Sequence, residues 1–169
     1  ITEQAVEQAI CNTAQRDNFT PLCEIVDEKT IVNAIVGLLA TGGSTNHTLH
    51  IPAIAKAAGI IVNWDDFADL SNAVPLLAKV YPSGSADVNQ FHDAGGMAYI
   101  IEQLLSGGYL HNDVKTILGR GLDEYTKYAI LDNDKLSWIT AFNHDNTILS
   151  SKDKPFSNEG GLKLLQGNL

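Results

Sequence analysis

Between Ala40 and His50 the chain reads Ala-Thr-Gly-Gly-Ser-Thr-Asn-His-Thr-Leu-His, the densest run of chemistry-bearing residues in the sequence. Gly42 and Gly43 supply a helix stop and a tight reversal. Ser44, Thr45 and Asn46 can cap a following helix. Backbone N–H groups left free at such a helix start can hold an anion. His47 and His50 lie three residues apart, so they share one helical face just inside that N-terminus. A positive charge is disfavoured there, so a buried His47 would be neutral. Two readings stand side by side. The turn lines an active site or anion pocket, or it is a well-capped helix–helix connection. For each histidine, a ligand role competes with that of a hydrogen-bonded structural residue.

A second segment, Phe91-His92-Asp93-Ala94-Gly95-Gly96-Met97, also sets polar groups beside a Gly-Gly pair that opens an apolar helix. Adjacent glycines usually mark a close backbone approach. His111 with Asp113 reads as a surface turn, His144 with Asp145 as solvated loop, and Asp65-Asp66 as helix-start chemistry. The sequence contains no Gly-x-x-x-x-Gly-Lys-Ser/Thr phosphate loop, no Gly-x-Ser-x-Gly elbow, no His-Glu-x-x-His and no Cys-x-x-Cys.

The elements that must position these groups follow from apolar spacing. Residues 1–16 read as an amphipathic helix with Ala5, Val6, Ala9, Ile10 and Thr13 on one face. A helix starting at residue 1 without Met suggests a chain cut from something longer. Asp27 caps a helix over 28–40. A second helix runs from Ser44 to Ala58, closed by Gly59, and Pro52 should weaken or kink its first half. Ile60–Val62, Val74–Val80 and Val114–Leu118 are short strand candidates, the first of them buried. Asp65 and Asp66 open a helix reaching Asn72, and Met97–Leu105 is a strongly apolar helix. The alternation predicts an α/β fold, helices packed on a short, mostly parallel sheet. Residues 1–122 form the α/β part. Residues 123–158 are polar, and with the apolar run Leu162–Leu165 they read as a connection into a second domain.

Composition bounds the function. With 169 residues and 44% apolar content, the chain can bury one real core. A net charge of −9 argues against a nucleic-acid surface, although local N–H groups can still hold a small anion. Apolar stretches reach about ten residues, too short to span a bilayer. Cys11 and Cys23, twelve residues apart, indicate no disulfide framework and read as buried free thiols of a cytoplasmic protein.

Several segments together resemble the dihydroxy-acid dehydratase and phosphogluconate dehydratase family. They are Ala40–His50, Ala57–Gly59, Asn63-Trp-Asp-Asp-Phe67, Val74-Pro-Leu-Leu77, Tyr81-Pro-Ser-Gly84, Phe91–Met97, Phe156-Ser-Asn-Glu-Gly-Gly-Leu-Lys163 and Gly167-Asn-Leu169. They occur in family order from about residue 20 onward. Thr41, His47 and Asn63–Phe67 are more similar to the phosphogluconate branch. The resemblance implies a longer, cytoplasmic, homodimeric hydro-lyase. It would convert 6-phosphogluconate to 2-dehydro-3-deoxy-6-phosphogluconate, a step of the Entner–Doudoroff pathway. It also implies an iron–sulfur cluster, of the 4Fe-4S type, whose open iron polarises the departing hydroxyl, and a divalent cation as a second candidate cofactor. The family's cluster cysteines and Cys-Asp-Lys motif lie upstream of the matched region, and its Thr-Asp-Gly-Arg-type motif lies downstream. Cys11 and Cys23 do not match the ligand contexts, so the chain alone should be inactive. Pro52 stands where the family suggests an aliphatic residue. The resemblance offers Ser44, Thr45, Asn46, His47, His50 and His92 as substrate-facing residues and assigns no catalytic residue. The rival readings are a dihydroxy-acid or other sugar-acid dehydratase of the same family, and a non-catalytic binding or scaffold module of the same fold.

Overall fold

The computed structural model describes residues 2–16, 18–133 and 135–168. Helix α1 (Thr2–Cys11) matches the expected amphipathic segment but buries none of its residues. A short helix α2 (Leu22–Ile25) follows. Helix α3 (Glu28–Thr41) is the centre of the molecule. The Asp27 carboxylate accepts from the Thr30 N–H at 2.8 Å, and the Thr30 hydroxyl reaches back to the Asp27 N–H at 2.8 Å. This reciprocal box satisfies two donors that the first turn cannot. Ile31, Ile35, Leu38 and Leu39 recur at helical spacing and are all buried.

Helix α4 (His47–Ala57) continues through Pro52. Helix α5 (Trp64–Ala73) begins at Asn63, whose side chain accepts from Asp65 and Asp66 N–H while the Asp66 carboxylate accepts from the Asn63 N–H. Helix α6 (Val88–Asp93), which apolar spacing did not suggest, is started by a third such box between Asp87 and Gln90. Helix α7 (Gly96–Ser106) packs Tyr99, Ile100 and Leu104 into the core.

The helix-and-strand class is as expected, but the mostly parallel sheet is not. The described residues contain two small antiparallel ladders, β1 (Lys115–Thr116) with β2 (Gly119–Arg120), and β3 (Lys127–Asp132) with β4 (Lys135–Thr140). The three apolar runs never pair with one another. Ile60–Val62 joins no ladder, and Ile61 is 91% exposed, so it is not a buried strand. Val114–Leu118 turns back on itself to pair with Gly119–Arg120. The Val74–Val80 segment is the buried extended element, with Val74, Leu77, Ala78 and Val80 in the core. It makes isolated antiparallel bridges to Leu149 and Ser157 and one parallel bridge, to Ala86. Apolar content marks an extended segment as buried without naming its partner, and runs this short carry little register information.

The polar stretch after residue 122 is more structured than its composition suggests. A 3₁₀ turn (Asp123–Thr126) leads into the β3–β4 hairpin. The chain then returns to the body. The N–H of Lys79 donates to Ile148 O at 2.9 Å, and the N–H of Ser150 donates to Leu77 O at 2.9 Å. Leu149 is fully buried. Leu76 N–H donates to Ser157 O, and Phe156 N–H donates back to Leu76 O, each at 2.9 Å.

Candidate functional site

The Gly42–Asn46 turn owes its shape to the end of α3. Gly42 adopts φ +58°, the left-handed conformation that closes a helix. Its N–H donates to Leu39 O at 3.3 Å, and the Gly43 N–H donates to Leu38 O at 3.1 Å, the paired bonds of a Schellman ending. Two donors from distant segments complete the ending. Gly161 N–H donates to Leu39 O at 2.8 Å, and Leu77 N–H donates to Ala40 O at 2.7 Å. A Cβ at Gly42 would overlap the Ser83 hydroxyl and press on Leu76. Three family-like segments, Ala40–His50, Tyr81–Gly84 and Phe156–Lys163, therefore meet at one backbone point.

The start of α4 leaves little for an anion. The N–H of Asn46 donates to Ser44 Oγ at 3.3 Å, that of His47 to Ser44 O at 3.0 Å, that of Thr48 to Thr45 O at 3.0 Å, and that of Leu49 to Asn46 O at 3.1 Å. A tight, 3₁₀-like first turn has engaged the donors that an α-helical start would present. Asn46 occupies the cap position in helical φ/ψ without a side-chain cap bond. Ser44 thus does the local side-chain capping.

His47 is exposed, and its Nδ1 lies 3.1 Å from Ser44 O. A carbonyl only accepts, so this contact is made by a proton on Nδ1, which in the singly protonated ring leaves Nε2 as the acceptor. His47 stands at the lip of a cleft of about 650 Å³ between α3, α4, α7 and the β1–β2 turn. The walls are mainly apolar, including Leu38, Ile51, Met97, Ile101 and Ile117, with Thr41, Asn33 and Lys115 among the polar groups. On the other side of the same turn, Thr45 lines a smaller cleft of about 180 Å³ with Thr48, Trp64, Phe67 and Leu162–Leu164.

The six residues singled out from sequence are not brought to one place. His47 and Thr45 open onto different clefts, and Ser44, Asn46, His50 and His92 lie outside both linings. Thr45, Asn46, His47, His50 and His92 are exposed, and Ser44 is half-buried. His92 sits on α6, with its Nδ1 near Gly96. The Gly95–Gly96 pair has a packing reason. At φ +132°, a Cβ on Gly95 would stand 2.7 Å from the Phe142 carbonyl oxygen. The N–H of His144 bonds Ala94 O at 2.9 Å across the same approach. Sequence reading missed Trp64, Lys163 and Met97 as cleft-lining residues. The Asn63-Trp-Asp-Asp-Phe67 run was a usable signal for the first, because Trp64 keeps half its surface exposed.

Cys11 and Cys23 are both exposed rather than buried, because α1 buries nothing and α2 turns Cys23 outward. Among the described residues, no group of three or more His, Cys, Asp or Glu side chains could hold a metal. No helix among them is long and apolar enough to cross a membrane.

Residues 1–125 match the family model described as dihydroxy-acid/6-phosphogluconate dehydratase N-terminal. The chain belongs to this family. Among curated members, the phosphogluconate dehydratase of Pseudomonas aeruginosa is 53% identical over 171 residues, covering 100% of this chain and 28% of its own length. That of Zymomonas mobilis is 55% identical with the same coverage. A dihydroxy-acid dehydratase from Parvibaculum lavamentivorans is 36% identical over 146 residues, covering 86% of this chain and 23% of its own length. This dehydratase-family chain therefore spans under a third of the relatives it matches, and it is more similar to the two phosphogluconate dehydratases than to the dihydroxy-acid enzyme.

Proposed function

We propose that the chain is a segment of a phosphogluconate dehydratase, a hydro-lyase that removes water from 6-phosphogluconate to give 2-dehydro-3-deoxy-6-phosphogluconate. The observation that carries this reading is identity above 50% across the whole chain with two phosphogluconate dehydratases, against 36% with the dihydroxy-acid enzyme. Three of the segments that carry the sequence resemblance also come together in the fold: the α3–α4 turn, the Tyr81–Gly84 turn and the Phe156–Lys163 strap meet at Gly42.

In this reading the α3–α4 turn is a wall of the substrate cleft. His47 offers Nε2 and Thr45 a hydroxyl, one on each side of the turn, while Ser44 sets the ring of His47 through its carbonyl. Asn46, His50 and His92 present exposed polar groups nearby in sequence, and they contact substrate only if other parts of the enzyme close over them. The family implies an iron–sulfur cluster, with a divalent cation as a second candidate. The donor set here does not fit either group. The two thiols are exposed on separate helices, and no metal-binding cluster exists among the described residues. Cluster ligands and the catalytic base would come from the portion of the relatives' length that this chain does not match. Residues 1–122 would form part of an N-terminal α/β domain, and 123–169 its route toward a C-terminal domain. The full enzyme would be a cytoplasmic homodimer.

The test is an assay of the purified 169-residue chain beside the full-length protein carrying it, both supplied with 6-phosphogluconate and iron–sulfur reconstitution. The full-length protein should form the 2-keto product and the chain alone should form none. Turnover by the chain alone at a rate near that of the full-length protein would overturn the division of labour proposed here.

A further inference from the structure

We propose that Gly161 is a positioning residue for the His47 imidazole, acting through the backbone of Gly42. This rests on the reading of His47 as a cleft residue for its functional meaning, but not for its physical test. Three contacts form the chain of action. Gly161 N–H holds Leu39 O at 2.8 Å, which seats the strap on the last turn of α3. Gly161 also lies flush on Gly42, where a Cβ would overlap the Gly42 Cα and stand 3.0 Å from its nitrogen. Gly42, at φ +58°, directs the chain into Gly43 and Ser44. The Ser44 carbonyl then fixes which ring nitrogen of His47 is protonated, at 3.1 Å.

The strap thus limits where the Ser44 carbonyl can stand, although it lies 117 residues from Ser44 in sequence and does not touch His47 in this chain of contacts. An unconstrained histidine side chain favours the other tautomer, with the proton on Nε2, so the Nδ1–H form is a sensitive report of the Ser44 contact. Gly160 gives the matching control. A Cβ there would meet Leu39 Cβ and Ser71 Oγ, each at 3.0 Å, and would not face Gly42. Both glycines sit in one seam, but only one of them bears on the turn.

The experiment reads ring ¹⁵N shifts of His47 in the 169-residue chain across a pH series, and compares them at the alkaline plateau. The unaltered chain and Gly160→Ala should show the Nδ1–H form as the major species. Gly161→Ala should lose that preference and revert toward Nε2–H, with the shifts of His111 unmoved. Retention of the Nδ1–H form in a folded Gly161→Ala chain overturns the proposal, as does its equal loss in Gly160→Ala. Native-state hydrogen exchange on the unaltered chain gives a second reading that needs no variant to fold. The Gly161 and Gly43 amides should open together. A Gly161 amide that exchanges freely while His47 keeps its Nδ1 proton also overturns the proposal. Neither readout depends on activity, so a wrong substrate assignment leaves both intact.

Discussion

At Gly42 a single hydrogen atom in place of a side chain decides whether two distant parts of the chain can meet. The residue is left-handed and sits against Ser83 and Gly161. Gly42→Ala combines the left-handed penalty with a steric clash, so it should cost about 2 kcal/mol or more. Gly37, inside α3 with open space around it, should behave oppositely, and Gly37→Ala should gain about 0.5–1 kcal/mol. Denaturant midpoints of the two variants check both signs. The same scale holds the pH response. The Lys29 ammonium, hydrogen-bonded to Asp113, holds that carboxylate below the usual range, and the Thr147 side chain and N–H do so for Asp145. A folded-state value below the unfolded one gives stability that is present above the unfolded value, near pH 4, and lost as pH falls through the folded one. Asp113→Asn should therefore flatten the acid limb of a melting-temperature profile without changing it near neutrality by more than the loss of an exposed ion pair. Burial raises Tyr99, with Glu102 adding to it, so its contribution is present below pH 10 and lost in alkali. Tyr99→Phe should remove that alkaline slope.

At the scale of elements, what the sequence made legible was punctuation. Asp27 announced α3, Gly42 ended it, and the Asp65-Asp66 pair marked α5, because caps and helix starts are local chemistry that a few residues specify. Asp27→Ala should cost about 1 kcal/mol, read as a lower denaturant midpoint with unchanged slope. What stayed hidden depends on partners far away. Val74–Val80 looked like a strand of a parallel sheet, yet beside one parallel bridge to Ala86 its partners are antiparallel, Ser157 and Leu149, over seventy residues later. The β3–β4 hairpin sits inside the polar 123–158 stretch and has half-exposed strands, and its own apolar residues, Tyr128–Leu131 with Leu136, Trp138 and Ile139, were the signal that the overall polarity masked. The candidate site followed the same division. Its residue types were visible in the Gly42–His50 run, whereas the separation of His47 and Thr45 onto two clefts is set by α7 and the 162–164 strap.

Over the whole molecule, the segment after residue 140 is a tie rather than a tail. Leu149 is fully buried among residues of the core, and the backbone on both sides bonds to Leu77 and Lys79. Leu149→Ala should destabilise the chain by about 2–5 kcal/mol, and a matched Leu165→Ala, at a site 88% exposed, should fall within about 0.5 kcal/mol of no effect. In the proposed reading, a net charge of −9 on this segment and a phosphate on the substrate coexist only if local groups supply the attraction, and in this chain few N–H groups at the start of α4 remain for that task. The phosphate would then be held largely by groups outside this segment, because Lys115 beside the large cleft is already paired with Glu24. The decisive measurement is the phosphate dependence of the full-length protein, comparing kcat/KM for 6-phosphogluconate, for gluconate and for a branched 2,3-dihydroxy acid. The account predicts efficient dehydration of 6-phosphogluconate, with activity on the other two lower by at least about two orders of magnitude, the discrimination expected when a charged anchor is lost. Equal activity on gluconate, or a preference for the dihydroxy acid, would contradict it.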